Sequence, residues 1–348
     1  MQQRASPMPI VTPGGDPAAA RWARRAVTVP GLVLLFALDV ALLPLALLVA
    51  AAVDAVKRRP LLALRFQLAL TIALAVHVLG LALTAGSWLL GGRWAGAQID
   101  REGQLDARLE AWLATLVWRA AMWLFGIQVV VEGGEALDGA PVVLMSRHAS
   151  VLDPLLPPFL LGRRRRSLRY VIKHELLWDP CVDFFGHRLT NAFVHRDRRH
   201  TPREIARVIA LANDLGPSDV VVIFPEGTRF TPEKRERVLA SLARDDPAAF
   251  EHARRLRNLL PPHPGGALAL LGAARHVDVV FCAHTGLEGA NRFSDLASGS
   301  LVGATVRVKL WRVAASAIPK GPDERRAWLD DWWTRIDEWV AQPVRPSR

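Results

Sequence analysis

The chain has 348 residues, of which 51% are hydrophobic and 22% charged, a composition that excludes a disordered or low-complexity protein. Its 44 Lys and Arg exceed its 33 Asp and Glu by 11, and this positive charge is compatible with nucleic acid, an anionic membrane surface or a phosphorylated substrate. Two cysteines, Cys181 and Cys282, are too few for a disulfide framework or a cysteine-based zinc site.

Two long apolar stretches come early in the chain. Residues 31–53 are interrupted only by one Asp and one Pro, and residues 66–90 contain no Asp, Glu, Lys or Arg, with His77 as their one ionisable group. Each stretch is long enough to cross a hydrocarbon layer of roughly 30 Å. The first is too long, and too far into the chain, to be a cleaved signal peptide. We therefore predict a flexible basic tail over 1–30 and a two-helix membrane hairpin over 31–92.

The basic residues that flank these stretches indicate an orientation. Seven lie on the outer sides and four on the link, namely Arg4, Arg21, Arg24, Arg25, Arg93, Arg101 and Arg108 against Lys57, Arg58, Arg59 and Arg65. If both stretches cross, the positive-inside bias places the rest of the chain on the cytoplasmic side of the cell (inner) membrane. A hairpin that dips into one leaflet gives the same side, so spanning and dipping both stay open.

Each stretch contains one ionisable side chain at a similar depth. Asp39 lies 14 residues before the end of the first stretch, and His77 lies 11 residues after the start of the second. These depths nearly coincide in an antiparallel hairpin, and ionisable groups inside a membrane generally pair with one another. We therefore hypothesise an Asp39–His77 pair.

A third helical segment is predicted at 93–126. Between residues 105 and 125 the apolar residues recur at helical spacing, but four charged residues interrupt them: Asp106, Arg108, Glu110 and Arg119. This pattern is typical of an interfacial helix, or of a helix packed on a soluble body, rather than of a membrane span. Four of the twelve tryptophans lie here (Trp94, Trp112, Trp118 and Trp123), as expected at a headgroup boundary. The interfacial and packed alternatives both stay open.

The remaining residues, 127–348, are predicted to form an α/β domain. Short apolar runs rich in β-branched residues alternate with helical stretches, at 129–132, 141–145, 220–224 and 277–282. Such runs indicate a mixed, largely parallel sheet covered by helices on both faces. Polar signals follow the second and third runs, at 146–148 and 225–229. Ligands of such sheets bind where the strands end at their carboxyl edge.

The C-terminal end of the chain is predicted to contain a strand and an amphipathic helix. Residues 305–313 alternate apolar and basic side chains, which suits a half-exposed strand. The helix over 323–342 places apolar residues on one stripe, namely Trp328, Leu329, Trp332, Trp333, Ile336 and Trp339. A stripe of this kind is more often a packed face than a functional surface, so we expect packing.

One histidine has the position that proton transfer requires. His148 directly follows an apolar run, and Asp153 lies five residues later. In a turn after a strand, Asp153 can accept a hydrogen bond from one ring nitrogen and leave the other free to take a proton from a hydroxyl. His174 and Asp179 have the same spacing, but we expect no strand to end before His174. We therefore predict that His148 and Asp153 are the functional pair.

A second and more specific signal is the sequence Phe-Pro-Glu-Gly-Thr-Arg at 224–229, which begins 71 positions after Asp153. Together with His148-x4-Asp153, it resembles the glycerolipid acyltransferases, the lysophosphatidic acid acyltransferase superfamily. Lys173 and the Phe-Val-His-Arg sequence ending at Arg196 resemble a second block of that family. The chain departs from the family pattern at Arg147, where an Asn is usual, and at 279–284, where a Val-Pro pair is usual.

The resemblance implies an enzyme and a set of roles. His148 would be the general base on a glycerol hydroxyl that attacks an acyl thioester directly, and Asp153 would orient it. The acceptor phosphate would be held by Arg229 and Arg196 with help from Lys173, and the pocket would be shaped by Glu226, Gly227 and Thr228. The resemblance implies no metal and no cofactor. The acyl donor would be acyl-coenzyme A or acyl carrier protein.

The leading hypothesis is therefore a membrane-bound acyltransferase that converts 1-acyl-glycerol-3-phosphate to phosphatidic acid. One alternative is acylation of another lysophospholipid or of an aminolipid. Another, from a different class, is a catalytically silent lipid-binding protein held at the membrane. A nucleic-acid binder is disfavoured, because the basic residues are scattered and no series of base-stacking aromatic residues accompanies them.

Overall fold

A computed structural model describes residues 16–58, 61–91, 99–139, 141–162, 164, 166–195 and 201–343. The chain begins with three long helices, α1 (Ala18–Lys57), α2 (Leu62–Gly91) and α3 (Ile99–Phe125). Helix α1 begins thirteen residues earlier than the predicted start at residue 31, so part of the segment expected to be a flexible tail is helical.

Helices α1 and α2 are joined by a short turn. Arg58 ends α1 in the left-handed conformation. The carboxylate of Asp54 then accepts hydrogen bonds from the backbone N–H groups of Ala63 and Leu64, at 2.9 and 3.1 Å, and so satisfies two free donors in the first turn of α2. Both helices are long and apolar enough to cross a membrane by length and composition, with mean hydropathies of 2.8 and 2.2 in their most apolar windows.

The predicted Asp39–His77 pair is wrong. The Asp39 carboxylate accepts hydrogen bonds from Gln67 Nε2 at 2.9 Å and from Thr71 Oγ1 at 2.7 Å. His77 Nε2 lies 3.1 Å from Asp179 Oδ2, in the α/β domain. Depth within each apolar stretch did not predict the register between the helices, because the helices extend beyond the stretches. Thr71 is six residues from His77, which is about 9 Å along a helix.

The α/β domain contains one seven-stranded sheet in the order β1-β7-β6-β2-β5-β3-β4. Its strands are β1 (Gln128–Glu132), β2 (Val142–Ser146), β3 (Ser167–Lys173), β4 (Ala192–Val194), β5 (Asp219–Ile223), β6 (Asp278–Thr285) and β7 (Thr305–Val313). Neighbouring strands pair in parallel except β6 and β7, so β7 and β1 run opposite to the other five. The predicted mixed, largely parallel sheet is confirmed.

Helices cover both faces of this sheet. They are α4 (Leu156–Leu161), α5 (Pro180–Arg188), α6 (Thr201–Ala210), α7 (Pro232–Asp245), α8 (Pro247–Ala253), α9 (Pro264–Ala273) and α10 (Pro322–Val340). Successive residues of β2 point to opposite faces. Val142 and Leu144 join one core with α3 and α4, while Val143 and Met145 join the other with α6, α9 and α10.

Two strands were not predicted from the sequence, and both lie at one side of the sheet. In β3, Arg169 and Lys173 interrupt the apolar residues, and β4 is only three residues long. Arg169 is stabilised within the fold, because its guanidinium donates to Asp219 Oδ2 at 2.6 Å. A charged residue can therefore occupy a strand when the neighbouring strand supplies its counterion.

Helices α3 and α10 show how the tryptophan-rich segments pack. On α3, Trp118 is buried in the core, whereas Trp112 and Trp123 are exposed on the other side. On α10, Trp333 and Trp339 are buried against the sheet, so the apolar stripe packs as expected.

Candidate active site

The polar residues singled out in the sequence meet at the carboxyl edge of the central strands. Strand β2 pairs in parallel with β5 and β6, with Met145 opposite Ile223 and Ser146 opposite Cys282. The segments after β2 and β5 therefore leave the sheet side by side, and His148 O accepts a hydrogen bond from Phe230 N at 2.8 Å. The two sequence motifs, 71 positions apart, form one site.

His148 and Asp153 form the hydrogen-bonded pair expected from their spacing. The chain turns after β2 and enters a short 3₁₀ helix at Asp153, so the carboxylate faces back toward the imidazole. Oδ2 lies 2.9 Å from His148 Nδ1 and also accepts the N–H groups of Ala149 and Ser150, at 2.6 and 2.7 Å. Because the carboxylate accepts at Nδ1, that nitrogen holds the proton and Nε2 presents its lone pair.

Asp153 is fully buried and stays ionised. Burial acts to raise the pKa of its carboxyl group, but the neighbouring His284 and His148 and the N–H of Ser150 hold that pKa below its usual value. The His148 side chain is 16% exposed, so it remains accessible from outside. In the part of the chain that the structure describes, no hydrogen bond ends on His148 Nε2. A buried anion thus orients an imidazole whose free nitrogen can meet a substrate.

Glu226 joins three loops beneath this pair. Its Oε1 accepts His148 N–H at 2.7 Å and its Oε2 accepts Leu260 N–H at 2.9 Å. The carbonyl of Leu260 in turn accepts Trp333 Nε1–H at 3.0 Å, which connects α10 to the site. Burial raises the pKa of Glu226 to about 8, against the lowering effect of the two N–H groups and of Arg147. Glu226 therefore positions the backbone of the histidine loop.

The rest of the Glu-Gly-Thr-Arg sequence forms the tight turn after β5. Gly227 has a φ of 65°, a left-handed conformation that a side chain would strain. Thr228 Oγ1 accepts a hydrogen bond from Lys234 Nζ at 3.0 Å, and Lys234 also donates to Arg229 O at 2.9 Å. Arg229 itself is half-buried, and within the described ranges no hydrogen bond or ion pair ends on its guanidinium.

One further predicted residue, Lys173, stands apart from His148. Lys173 ends β3, which is separated from β2 by β5, and its Nζ lies 3.2 Å from Glu175 Oε1 on the half-exposed surface. Arg196 lies outside the described residues. The structure thus groups His148, Asp153 and the 226–229 turn, and places Lys173 at the same sheet edge but farther along it.

The second His-x4-Asp spacing does not form a pair. We expected no strand before His174, but β3 ends at Lys173, so the expected difference in context is wrong. What separates the two sites is the partner of each side chain. His174 Nε2 lies 2.9 Å from Asp16 Oδ1, and Asp179 accepts N–H groups at the start of α5 and contacts His77.

Sequence reasoning did not find the residues that surround Asp153 from the β6 side. Arg147 is 1% exposed and donates through Nη1 to His284 O at 2.6 Å and to Glu288 Oε1 at 2.5 Å. Its Nη2 donates to Asn258 O at 3.0 Å. His284 is fully buried beside Asp153. The sequence signal for His284 was its position after an apolar run. We ended that run at residue 282, whereas β6 continues to Thr285.

Comparisons with known proteins agree with this geometry. The family model described as Acyltransferase matches residues 128–280, which include both motifs. The chain is 25% identical over 172 residues to a mouse (Mus musculus) protein named 1-acyl-sn-glycerol-3-phosphate acyltransferase epsilon, across 49% of this chain and 46% of that protein. It is 33% identical over 114 residues to a probable 1-acyl-sn-glycerol-3-phosphate acyltransferase of Mycoplasma genitalium, across 31% of this chain and 41% of that protein.

The matched regions thus span less than half the length of these two relatives. The fold itself is similar to a solved structure, the 1-acyl-sn-glycerophosphate (LPA) acyltransferase PlsC from Thermotoga maritima. The TM-score is 0.54 at 19% identity, across 83% of this chain and 99% of that one. Residues 128–280, which contain both motifs, are thus similar in sequence to acyltransferases, and the fold is similar to that of a solved acyltransferase.

Proposed function

We propose that this protein is a membrane-bound acyltransferase that moves a fatty acyl group from an acyl thioester to the free hydroxyl of 1-acyl-glycerol-3-phosphate, giving phosphatidic acid. The observation that carries the proposal is the His148–Asp153 pair, with Nδ1 bonded to a buried carboxylate and Nε2 unoccupied in the described part of the chain. The reaction needs a base at this place, and it needs no metal or cofactor.

The proposed step has no acyl-enzyme intermediate. The acceptor hydroxyl gives its proton to His148 Nε2 while its oxygen bonds to the thioester carbonyl carbon. The carbon–sulfur bond then breaks, and the thiolate takes the proton back from the imidazolium to leave as a thiol. The carboxylate of Asp153 stabilises the positive charge that His148 holds in between. Proton transfer of this kind contributes about 10²- to 10⁴-fold to the rate.

Basic residues near this edge support a phosphorylated acceptor. The guanidinium of Arg229, free of partners among the described residues, follows directly from the turn that contains Glu226. A planar guanidinium suits the oxygens of a phosphate, with which it forms two parallel hydrogen bonds. We assign acceptor binding to Arg229, with Lys173, the last residue of β3, and Arg196 as further candidates.

A small apolar cavity lies beside the histidine loop. It has a volume of about 60 Å³ and lies between α2 and α3, where it is lined by Ala73, Ala121 and Phe293 among others. Leu152, which precedes Asp153, also lines it. The cavity therefore reaches the loop that holds the proposed base.

The membrane location rests on α1 and α2. None of the most apolar window of α1 is buried within the molecule, and only 22% of that of α2 is. Exposed apolar side chains occur along α1 from Trp22 to Val56. Surfaces of this length and composition are stable in a hydrocarbon layer and costly in water. We propose that α1 and α2 hold the α/β domain at the membrane, with that domain on the cytoplasmic side.

The test is acyl transfer by detergent-purified protein from labelled acyl-coenzyme A and acyl carrier protein. The acceptors are 1-acyl-glycerol-3-phosphate, other lysophospholipids and aminolipids. Wild type should form phosphatidic acid, and the rate should fall about 10²- to 10⁴-fold in His148→Ala and in Asp153→Asn. His276→Ala changes an exposed residue beyond the opposite edge of the sheet and serves as the control for histidine loss.

Asp179→Asn is the matched control for Asp153→Asn. Asp179 has the same His-x4-Asp spacing but caps α5, a position that Asn also fills well, so activity per folded molecule should stay near wild type. Activity with another acceptor alone would move the assignment to that lipid. Absence of transfer with every donor and acceptor would contradict the proposal and favour a silent lipid-binding protein.

A further inference from the structure

A second histidine lies against the carboxylate that orients His148. His284, near the end of β6, is fully buried. Its Nε2 is hydrogen-bonded to Arg147 O at 3.1 Å and lies 3.3 Å from Asp153 Oδ1, which has no hydrogen-bond partner among the described residues. Oδ2 of the same carboxylate accepts hydrogen bonds from His148 Nδ1 and from two backbone N–H groups. Asp153 therefore lies between two imidazoles, one on each oxygen.

The protonation of His284 follows from these neighbours. Burial lowers the pKa of its imidazole, and the nearby Arg147 lowers it further, against the raising effect of Asp153 and Glu288. A neutral imidazole has one N–H. A proton on Nε2 faces two acceptors, Asp153 Oδ1 and Arg147 O. If the proton were on Nδ1 instead, the lone pair of Nε2 would face these two oxygens. The proton therefore belongs on Nε2.

Arg147 and His284 hold each other in this arrangement. Arg147 O is hydrogen-bonded to His284 Nε2, and His284 O accepts a hydrogen bond from Arg147 Nη1 at 2.6 Å. Arg147 is fixed in turn by Glu288 and by Asn258 O, and Asn258 N–H donates to Asp337 on α10 at 2.6 Å. The imidazole thus has little freedom to turn away from Asp153.

We propose that His284 is a positioning residue for the transfer reaction, and that the close polar contact of its Nε2 edge with Oδ1 of Asp153 keeps Oδ2 facing His148. This inference rests on the proposed general-base role of His148. A buried histidine is costly where an aliphatic residue would pack, and the polar edge of His284 is turned toward the carboxylate that contacts the imidazole of His148. His284 acts through Asp153 and does not touch the substrate.

The charge on Asp153 gives the proposal a pH signature. The other titratable groups around the His284–Asp153 contact are Arg147, His148, Glu226, Cys282 and Glu288. The His284 N–H withdraws charge from Oδ1, so its loss leaves more negative charge facing His148. The protonated imidazole is then favoured, and the acid limb of the kcat/KM profile should move to higher pH.

The experiment compares His284→Leu and His284→Gln with wild type in the acyl-transfer assay. In His284→Leu, kcat should fall about ten- to a hundred-fold, as expected for the loss of a close polar contact with a charged group, with an unchanged KM for the acceptor. His284→Gln keeps an N–H donor at a similar reach, so it should restore most of kcat and the wild-type pH midpoint. Rates are expressed per folded molecule.

A purely structural role would have different consequences. His187→Gln is the control, because His187 is a nearly buried histidine whose Nδ1 lies 3.0 Å from Asp183, outside the site. It should lower the melting temperature and leave the pH midpoint unmoved. If His284→Leu behaves in the same way, with wild-type kcat and pH midpoint, the proposal is overturned.

A double-mutant cycle keeps the test decisive if His284→Leu does not fold. If His284 acts through Asp153, then His284→Asn, whose shorter side chain withdraws the donor from Oδ1, should lower kcat by itself but have no further effect on the residual rate of Asp153→Asn. Multiplicative losses of rate in the double variant would contradict the proposal. Failure of the proposed function would instead give a silent wild type or an active His148→Ala, neither of which this inference predicts.

Discussion

At the scale of single residues, the site depends on two buried carboxyl groups, Asp153 and Glu226, that differ in how readily they are protonated. Asp153 keeps its charge because three donors meet Oδ2 and an imidazole faces Oδ1. Glu226 has only two backbone N–H donors for its two oxygens, and burial raises its pKa to about 8. Asp153 is therefore suited to stabilising an imidazolium, and Glu226 to positioning the loop that contains His148.

Glu226 should make stability depend on pH. Its folded pKa of about 8 exceeds the ordinary value of 4.5, so its contribution is fully present below pH 4.5 and is lost as pH rises toward 8. The free energy of unfolding should fall by at most about 1.4 kcal/mol per pH unit in that window on account of this group.

Glu226→Gln removes the titration and keeps the size of the side chain. The variant should be less stable than wild type near pH 5, where wild-type Glu226 is neutral and well bonded, and the difference should shrink or reverse by pH 8. The measurement is thermal unfolding of both proteins in detergent, followed by tryptophan fluorescence from pH 5 to 8. Parallel curves for the two proteins would contradict the prediction.

At the scale of elements, charged contacts attach the first helix to the α/β domain. Asp183 on α5 is fully buried and accepts from Arg24 Nη2 at 2.7 Å and Arg25 Nε at 2.6 Å. Burial acts to raise the pKa of Asp183, but His187, Arg24 and Arg25 hold it well below its usual range. This contribution to stability is present above the ordinary pKa of the carboxyl group and is lost as pH falls below it.

Asp183→Asn should release the N-terminal end of α1. The substitution keeps the size of the side chain but leaves the largely buried guanidinium of Arg25 without its counterion and that of Arg24 with Asp16 alone, at a cost of about 3 kcal/mol. The expected results are a lower melting temperature and faster trypsin cleavage at Arg21, Arg24 and Arg25. Asp138→Asn is the control, because Asp138 is 61% exposed in its pair with Arg164 and should have little effect.

At the scale of the whole molecule, the chain combines an apolar helical pair with an α/β domain that has a modest positive net charge. Helices α1 and α2 leave most of their apolar surface uncovered, while α3 buries one face in the domain and exposes Trp112 and Trp123 on the other. The site lies at the carboxyl edge of the sheet, and its apolar cavity borders α2. This arrangement suits a substrate that stays in the membrane while its headgroup reacts.

The proposed orientation can be measured with a single cysteine. Ala240 is exposed on α7, in the α/β domain, whereas both natural cysteines are at least partly buried. In Ala240→Cys, a membrane-impermeant maleimide should label inside-out vesicles and spare right-side-out ones, with wild type as the control. Labelling of right-side-out vesicles alone would place the domain on the other side.

The sequence alone predicted most of the architecture, because the relevant signals are local. Long apolar stretches indicate helices suited to a membrane, and apolar runs between helices indicate a covered sheet. The predicted strand at 305–313 coincides with β7. His148, Asp153 and the 224–229 sequence could be chosen because short loops after neighbouring parallel strands must meet at one edge. Their catalytic roles stay predictions until transfer is measured.

Tertiary structure decided what no local pattern contains, namely which partner each polar group meets. Equal depth did not pair Asp39 with His77, because the register between two helices depends on the turn and on side-chain packing along both. Equal spacing did not pair His174 with Asp179, because His174 contacts Asp16 and Asp179 caps the start of α5. His284 came beside Asp153 only through the pairing of β6 with β2, which joins residues more than 130 positions apart. Contacts of that range depend on the whole fold.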